Sequence, residues 1–207
     1  MARTSEDLAL ALDVVAASEL PRPRIETLEG CRLLLLTEHP GAIASRATIS
    51  ALEDAADRAE RQGAIILQEH ALLPDLEAIL AAYIPMLNMI IGGGMVPGPN
   101  GELPRLVDWF GLCDRQARVQ RAFAALFEDI DAIIAPVFGR EAFPHDDEPD
   151  LRKRMLEIDG TMTRFADQFA WISMATFAHL PASSVPAGQA ADGLPINMQV
   201  IGASRRD

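Results

Sequence analysis

The stretch RLLLLTEHPGAIASRATISALEDAADRAERQGAIILQ, residues 32–68, decides the fold. Arg32 to Thr37 (RLLLLT) opens it with an unbroken apolar run. A strand of that kind suits a sheet covered on both faces. Ala42 to Gln62 follows, with Ile43, Ala47, Leu52, Ala55, Ala56 and Ala59 close to a 3.6-residue period. That spacing predicts a helix, and Gly63 ends it. Ala64 to Gln68 (AIILQ) returns to strand composition. Strand, helix and strand in this order predict a βαβ unit, with parallel strands and a right-handed crossover.

Upstream, Thr4 with Asp7 three residues on forms a capping-box pattern, followed by Leu8, Leu10, Ala11, Leu12, Val14 and Val15. Pro21 and Pro23 stop that helix. A chain that starts on a cap is expected to begin inside a larger domain. Downstream, Pro74 to Ile91 is expected to be helical with a kink at Pro85. Gly92 to Pro104 is a glycine- and proline-rich connector or lid, and it carries neither GxxxxGK[ST] nor GxGxxG.

Asp108 to Glu128 reads as a long helix, and Asp131 to Val137 (DAIIAPV) as a third buried strand. Phe138 to Asp150 reads as irregular and acidic. Helical pattern is expected from Leu151 to Ile158 and from Thr163 to Phe177. Short strands at Ser183 to Ala187 and Ile196 to Ile201 are joined by the turn Ala191-Asp192-Gly193. The predicted fold class is α/β, with a mixed, mostly parallel sheet covered by helices, in one unit over residues 1–207.

Composition narrows the function. Hydrophobic residues make up 49% of the chain, enough for a substantial core, whereas aromatic residues are only 5%. The formal net charge of −12 opposes binding to a nucleic-acid backbone. Cys31 and Cys113 fit no CxxC or metal-finger spacing and read as reduced thiols of a cytoplasmic protein. The longest apolar run, Ile84 to Val96, is broken by Pro85, Asn88 and glycines and is too short to span a bilayer, so no membrane role is expected.

Four groups of residues are candidates for chemistry. His145-Asp146-Asp147-Glu148 gathers possible ligands, but adjacent residues rarely converge on one ion, so no metal and no cofactor are expected. Ser183 and Ser184 lack a GxSxG elbow. His39, His70 and His179 are scattered and define no Ser-His-Asp set. Trp171, Phe165, Phe169 and Phe177 have near-helical spacing and read as core, with one face open to a pocket role.

Leu180 to Gly202, LPASSVPAGQAADGLPINMQVIG, resembles the end of the amidase signature family, where LPAxSxPxG precedes DGLPxxxQxxG. FADQFAWISMATF (Phe165 to Phe177) is similar to the helix leading into that motif, and DAIIAPV and Phe143-Pro144-His145-Asp146 are similar to an earlier strand and loop. MARTSEDLALALDVV (Met1 to Val15) is similar to the segment after the family's signature, and the resemblance is closest at the two ends of the chain. It implies a partial amidase-signature fold and hydrolysis of amide carbon–nitrogen bonds. The family uses a serine nucleophile, a second serine as proton relay and a lysine base, with an acyl-enzyme intermediate.

None of these groups has a counterpart here, and Lys153, the single lysine, does not match the family lysine's place. The resemblance therefore implies the C-terminal portion of an amidase domain, inactive alone and without catalytic residues of its own. Its substrate would be a small amide, and Pro136, Phe138, Phe143 and Trp171 are the pocket candidates beyond the carboxyl ends of the strands. Such a portion would expose apolar surface and self-associate through an open sheet edge. A non-catalytic interaction module and a ligand-binding α/β protein are the competing readings.

Overall fold

The computed structural model describes residues 2, 4–16, 25, 27–98 and 101–204. Its centre is a five-stranded sheet. The first strand, β1 (Arg32–Leu35), pairs in parallel with β2 (Ile65–Leu67) on one side and with β3 (Ala132–Pro136) on the other. Next come β7 (Pro195–Gly202), antiparallel to β3, and β6 (Ala182–Gln189), antiparallel to β7. The strand order is β2-β1-β3-β7-β6. Four strands therefore point the same way and β7 alone is reversed, which is the mixed, mostly parallel arrangement expected.

The leucine run of β1 feeds both faces of the sheet. Leu33 and Leu35 pack with Ala51, Leu52, Ala56 and Ala59 of α2 (Arg46–Glu60). Leu34 and Leu36 face the opposite core with Phe123, Phe127 and Phe177. Neighbouring strands keep the same alternation, Ile134 and Ile196 on the α2 side, Ile133 and Ile201 on the other. Both ends of β1 are held by polar bonds: Arg32 N donates to Asp131 Oδ2 at 2.8 Å, Asp131 N donates to Arg32 O at 2.8 Å, and Leu36 N donates to Ile134 O.

On the α2 face, small residues let helix and sheet approach. A Cβ at Gly188 in β6 would come within 3.2 Å of the Ala51 Cβ, and Arg58 Nη2 donates to Ala187 O at 2.8 Å. Helix α2 starts later than its apolar period suggests because Ser45 caps it, its Oγ accepting from Thr48 N at 3.1 Å. The other face carries α3 (Leu76–Ile91), α4 (Leu106–Asp129) and α5 (Phe169–Ala178). Asp75 caps α3, and Pro85 lies within it. A 3-10 turn, Phe165–Gln168, leads into α5, which ends at His179 with φ +56°.

Two expectations are corrected. Leu151 to Ile158 is not helical: a turn is followed by β4 (Met155–Ile158), paired antiparallel with β5 (Thr161–Arg164), so the second predicted helix begins after Arg164 rather than at Thr163. The cause is Asp159-Gly160, whose φ angles of +48° and +79° suit a two-residue hairpin turn of primed type. Helix α1 (Ser5–Val15) is capped as expected, Asp7 N donating to Thr4 Oγ1, but it buries no residue. The proposed stops at Pro21 and Pro23 lie outside the described residues.

Candidate functional site

The strand order places a reversal at β1 and β3. The chain leaves β1 through α2 on one face to reach β2, then returns through α3 and α4 on the other face to β3. Loops that diverge from the carboxyl ends of two neighbouring parallel strands leave a crevice there, where open α/β sheets bind ligands.

The two loops are stitched together. Ser45 N donates to Gly139 O at 2.6 Å, and Gly139 N donates to Gln168 Oε1 at 2.7 Å. Gln168 Nε2 in turn reaches Ile43 O at 3.5 Å. Glycine is required at 139, since a Cβ would collide with the Ile43 carbonyl oxygen and the Gln168 amide. A second buried amide works deeper: Gln199 Nε2 donates to Pro136 O at 2.8 Å and to Trp171 O at 2.7 Å, fixing the end of β3 against α5.

The four pocket candidates divide. Pro136 closes β3 and is buried. Phe138 stacks on Phe143 with ring centroids 5.4 Å apart, and Phe165 meets both, so half-buried rings form one aromatic cluster over the strand end. Trp171 is fully buried and lies edge-on to His39, with ring centroids 5.6 Å apart. Gly41 N donates to His39 Nδ1 at 3.0 Å, which puts the proton of the neutral ring on Nε2. Burial disfavours the imidazolium and lowers the His39 pKa. Among the described residues, His39 Nε2 and Trp171 Nε1 are buried without a partner.

A cavity of about 340 Å³ opens where the crevice meets the β4–β5 hairpin, lined by Ser45, Arg140, Glu141, Glu157, Asp159 and Gly160. Arg140 Nη2 pairs with Glu141 Oε1 at 3.0 Å, with both side chains about four-fifths buried. Arg140 Nη1 also donates to the Glu157 carbonyl oxygen. A second cavity of about 460 Å³, beside Gln120, Phe127, His179 and Leu180, holds no cluster of reactive groups. Neither of these two cavities is lined by Pro136, Phe138, Phe143 or Trp171.

The remaining sequence candidates stand apart. In the acidic loop, Glu148 N donates to Asp146 Oδ1 and Asp150 N to Glu148 Oε1, so the carboxylates serve local turns. Arg152 beside Asp150 holds that carboxyl down to about 2. No group of three His, Cys, Asp or Glu among the described residues could hold a metal ion. Ser183 and Ser184 are exposed on the edge strand β6. His70 Nε2 lies 3.6 Å from Asp129, and the His179 ring meets Gln116 and Gln120. Sequence reasoning missed Arg140, Glu141, Gln168 and Gln199. Only Asp159-Gly160, as a hairpin signal, would have located the cavity wall.

The arrangement is matched by solved structures that share its fold. A crystal structure of an amidase aligns with TM-score 0.68 and 14% identity, over 99% of this chain and 48% of that one. A glutamyl-tRNA(Gln) amidotransferase subunit from Thermotoga maritima aligns with TM-score 0.61 and 19% identity, over 88% of this chain and 40% of that one. The molecule thus has an amidase-signature α/β fold. In sequence, residues 107–207 match the Amidase family. The corresponding glutamyl-tRNA(Gln) amidotransferase subunit of Hyphomonas neptunium is 33% identical over 87 residues, 42% of this chain and 16% of that protein. The chain spans under half the length of these two solved relatives, and its match covers about one sixth of the curated one. No described helix is long and apolar enough to cross a membrane.

Proposed function

We propose that this chain is the C-terminal portion of an amidase-signature domain that hydrolyses a small amide, and that it supplies pocket wall rather than catalytic groups. The observation that carries the reading is coverage: the fold accounts for 99% of this chain and only 48% of a solved amidase. The serines it does offer support the same view. Ser183 and Ser184 sit on an exposed edge, and the single lysine, Lys153, is exposed at the turn before β4. A serine nucleophile needs a base within hydrogen-bond reach and donors for the oxyanion, and among the described residues no side-chain hydrogen bond reaches either serine.

In this reading Phe138 and Phe143, with Phe165, give the acyl side of the pocket its aromatic surface, and Pro136 and the fully buried Trp171 support it from beneath. The uncovered face of α1 and the open edge of β6 are where the rest of the domain packs, and alone the chain self-associates there. The setting is cytoplasmic, in keeping with Cys31 and Cys113 read as reduced thiols outside any CxxC or metal-finger spacing. The test is hydrolysis of a panel of simple aliphatic and aryl amides by this chain and by a version extended upstream. Turnover by the extended chain alone is the expected result. Turnover by this chain, abolished by changing Ser183, Ser184 or Lys153, would overturn the reading.

A further inference from the structure

Helices α3 and α4 overrun the core at one end of their pair. Ile90 continues the buried stripe of Ile79, Tyr83 and Met86 along α3, yet it is exposed, as is Ile91 beside it. At the start of α4, Leu106 and Phe110 run into Cys113, which packs on the core, but both are exposed themselves. Met95 and Val96 lie between, and these six side chains are each 58% to 76% exposed. They share one end of the molecule. Met89 and Trp109, their helix neighbours, pack against the same core, and α3 lies against α4. The chain after α3 folds back on it: Gly94 N donates to Met89 O at 2.9 Å, and a Cβ on Gly92 would come within 2.7 Å of Val96 Cγ2. A gathered apolar patch of this kind, unlike scattered exposed leucines, marks a contact surface.

We propose that this end is a homodimer contact, seated on the same end of a second copy of the chain. Charge selects the occupant. The chain carries a net −12, yet between Ile90 and Phe110 only Glu102, Arg105 and Asp108 are charged. Arg105 Nη2 is held by Asp108 Oδ1 at 3.1 Å, so two of those three charges offset one another. Two acidic copies repel over most of their surface, and the near-neutral end is where that repulsion is least. A strongly charged partner of either sign meets little counter-charge there. An anionic bilayer calls for clustered Lys and Arg, which the segment lacks. Area agrees with a second copy. Six large side chains more than half exposed offer on the order of several hundred Å², towards the ~800 Å² that each partner covers in a stable interface. A contact made of one surface on both copies closes about a two-fold axis, so association through it stops at the dimer.

This contact is separate from the association attributed above to α1 and the edge of β6. In the amidase reading the rest of the domain covers those two surfaces. The α3–α4 end stays outside it and pairs whole domains. That reading enters only through the choice of a longer chain for the assay, because the patch itself stands on the side chains of α3 and α4.

The test is sedimentation velocity on this chain and on the upstream-extended version, unaltered and with Leu106→Glu and Phe110→Glu combined. The extended version is expected to dimerise with a Kd of about 10 μM or tighter, and the paired change to weaken that dimer at least about tenfold. Thermal melts establish that the variants are folded. A dimer contact at this end is overturned if the extended version is monomeric at about 100 μM, or if the folded variant keeps the unaltered affinity. It is also overturned if a monomer floats with phosphatidylcholine vesicles and the paired change abolishes flotation, which makes the end a membrane contact instead. Should the variants unfold, amide hydrogen exchange of the unaltered chain at about 1 μM and about 100 μM decides. Slower exchange over residues 89–111 at the higher concentration supports the dimer, and protection confined to other segments, or none, overturns it. Association is read without turnover, so its failure is separate from a failure of the extended chain to hydrolyse amides.

Discussion

Helices α5 and α1 are both apolar stretches in the sequence, and they end in opposite environments. Seven of the ten residues of α5 are buried, Trp171 and Met174 completely. None of the eleven residues of α1 is buried, and Leu10 and Val14 are 65% and 77% exposed. Helix α5 lies in the core formed with α3, α4 and the sheet, where Gln199 ties its backbone to the end of β3. An apolar period states a preference for being covered. Whether cover exists is a property of the rest of the fold.

The contrast can be broken first at its buried extreme. Trp171→Ala removes a fully enclosed indole and is expected to cost about 3–5 kcal/mol in urea unfolding. A loss below about 1 kcal/mol would show that α5 is not the packed element described. Gly139→Ala forces a methyl group against the Ile43 carbonyl and the Gln168 amide, with an expected cost of about 1–3 kcal/mol in urea unfolding. Gly160→Ala, at φ +79°, is expected to cost about 1 kcal/mol and to loosen the hairpin without disturbing α5.

His39 gives a pH signature of the same core. Its folded pKa lies below 6.5 through burial, so the unfolded chain binds more protons as the pH falls from about 6.5 towards the folded value. Stability from keeping His39 neutral is complete above that window and declines through it. Melts from pH 7.5 to pH 5 should show a loss that His39→Phe reduces, and an unchanged slope would remove His39 from the account. The smallest effect belongs to α1. Leu10→Ser should shift the stability of this chain by no more than about 0.5 kcal/mol. In an upstream-extended chain that covers α1, the same change should cost about 1.5–3 kcal/mol.

Much of the fold was legible because burial on two faces leaves a strong signal. The leucines of β1 and DAIIAPV in β3 each report a partner on both sides, and the alanines of α2 mark its one buried face. The β4–β5 hairpin was illegible to periodicity because Asp150, Arg152, Arg154 and Glu157 mimic the solvated face of a helix. Of the candidate site, the end of β3 was legible, with Pro136, Phe138 and Phe143 at or just beyond it, while neither described cavity is lined by them. Gln168 and Gln199 were not legible, because the worth of a buried amide depends on which carbonyls and N–H groups face it in three dimensions.

The run from Leu33 to Leu36 has one more consequence. Its alternating leucines satisfy two opposite cores equally well, so sliding β1 by one residue would exchange one leucine for another at almost every contact. Side-chain polarity cannot forbid that misalignment. Discrimination falls to the polar ends, where Arg32 and Asp131 exchange backbone and carboxylate bonds across the β1–β3 pair. Asp131 thus acts as an alignment mark for an otherwise degenerate strand, separating the correct sheet from a near-isoenergetic copy shifted by one place.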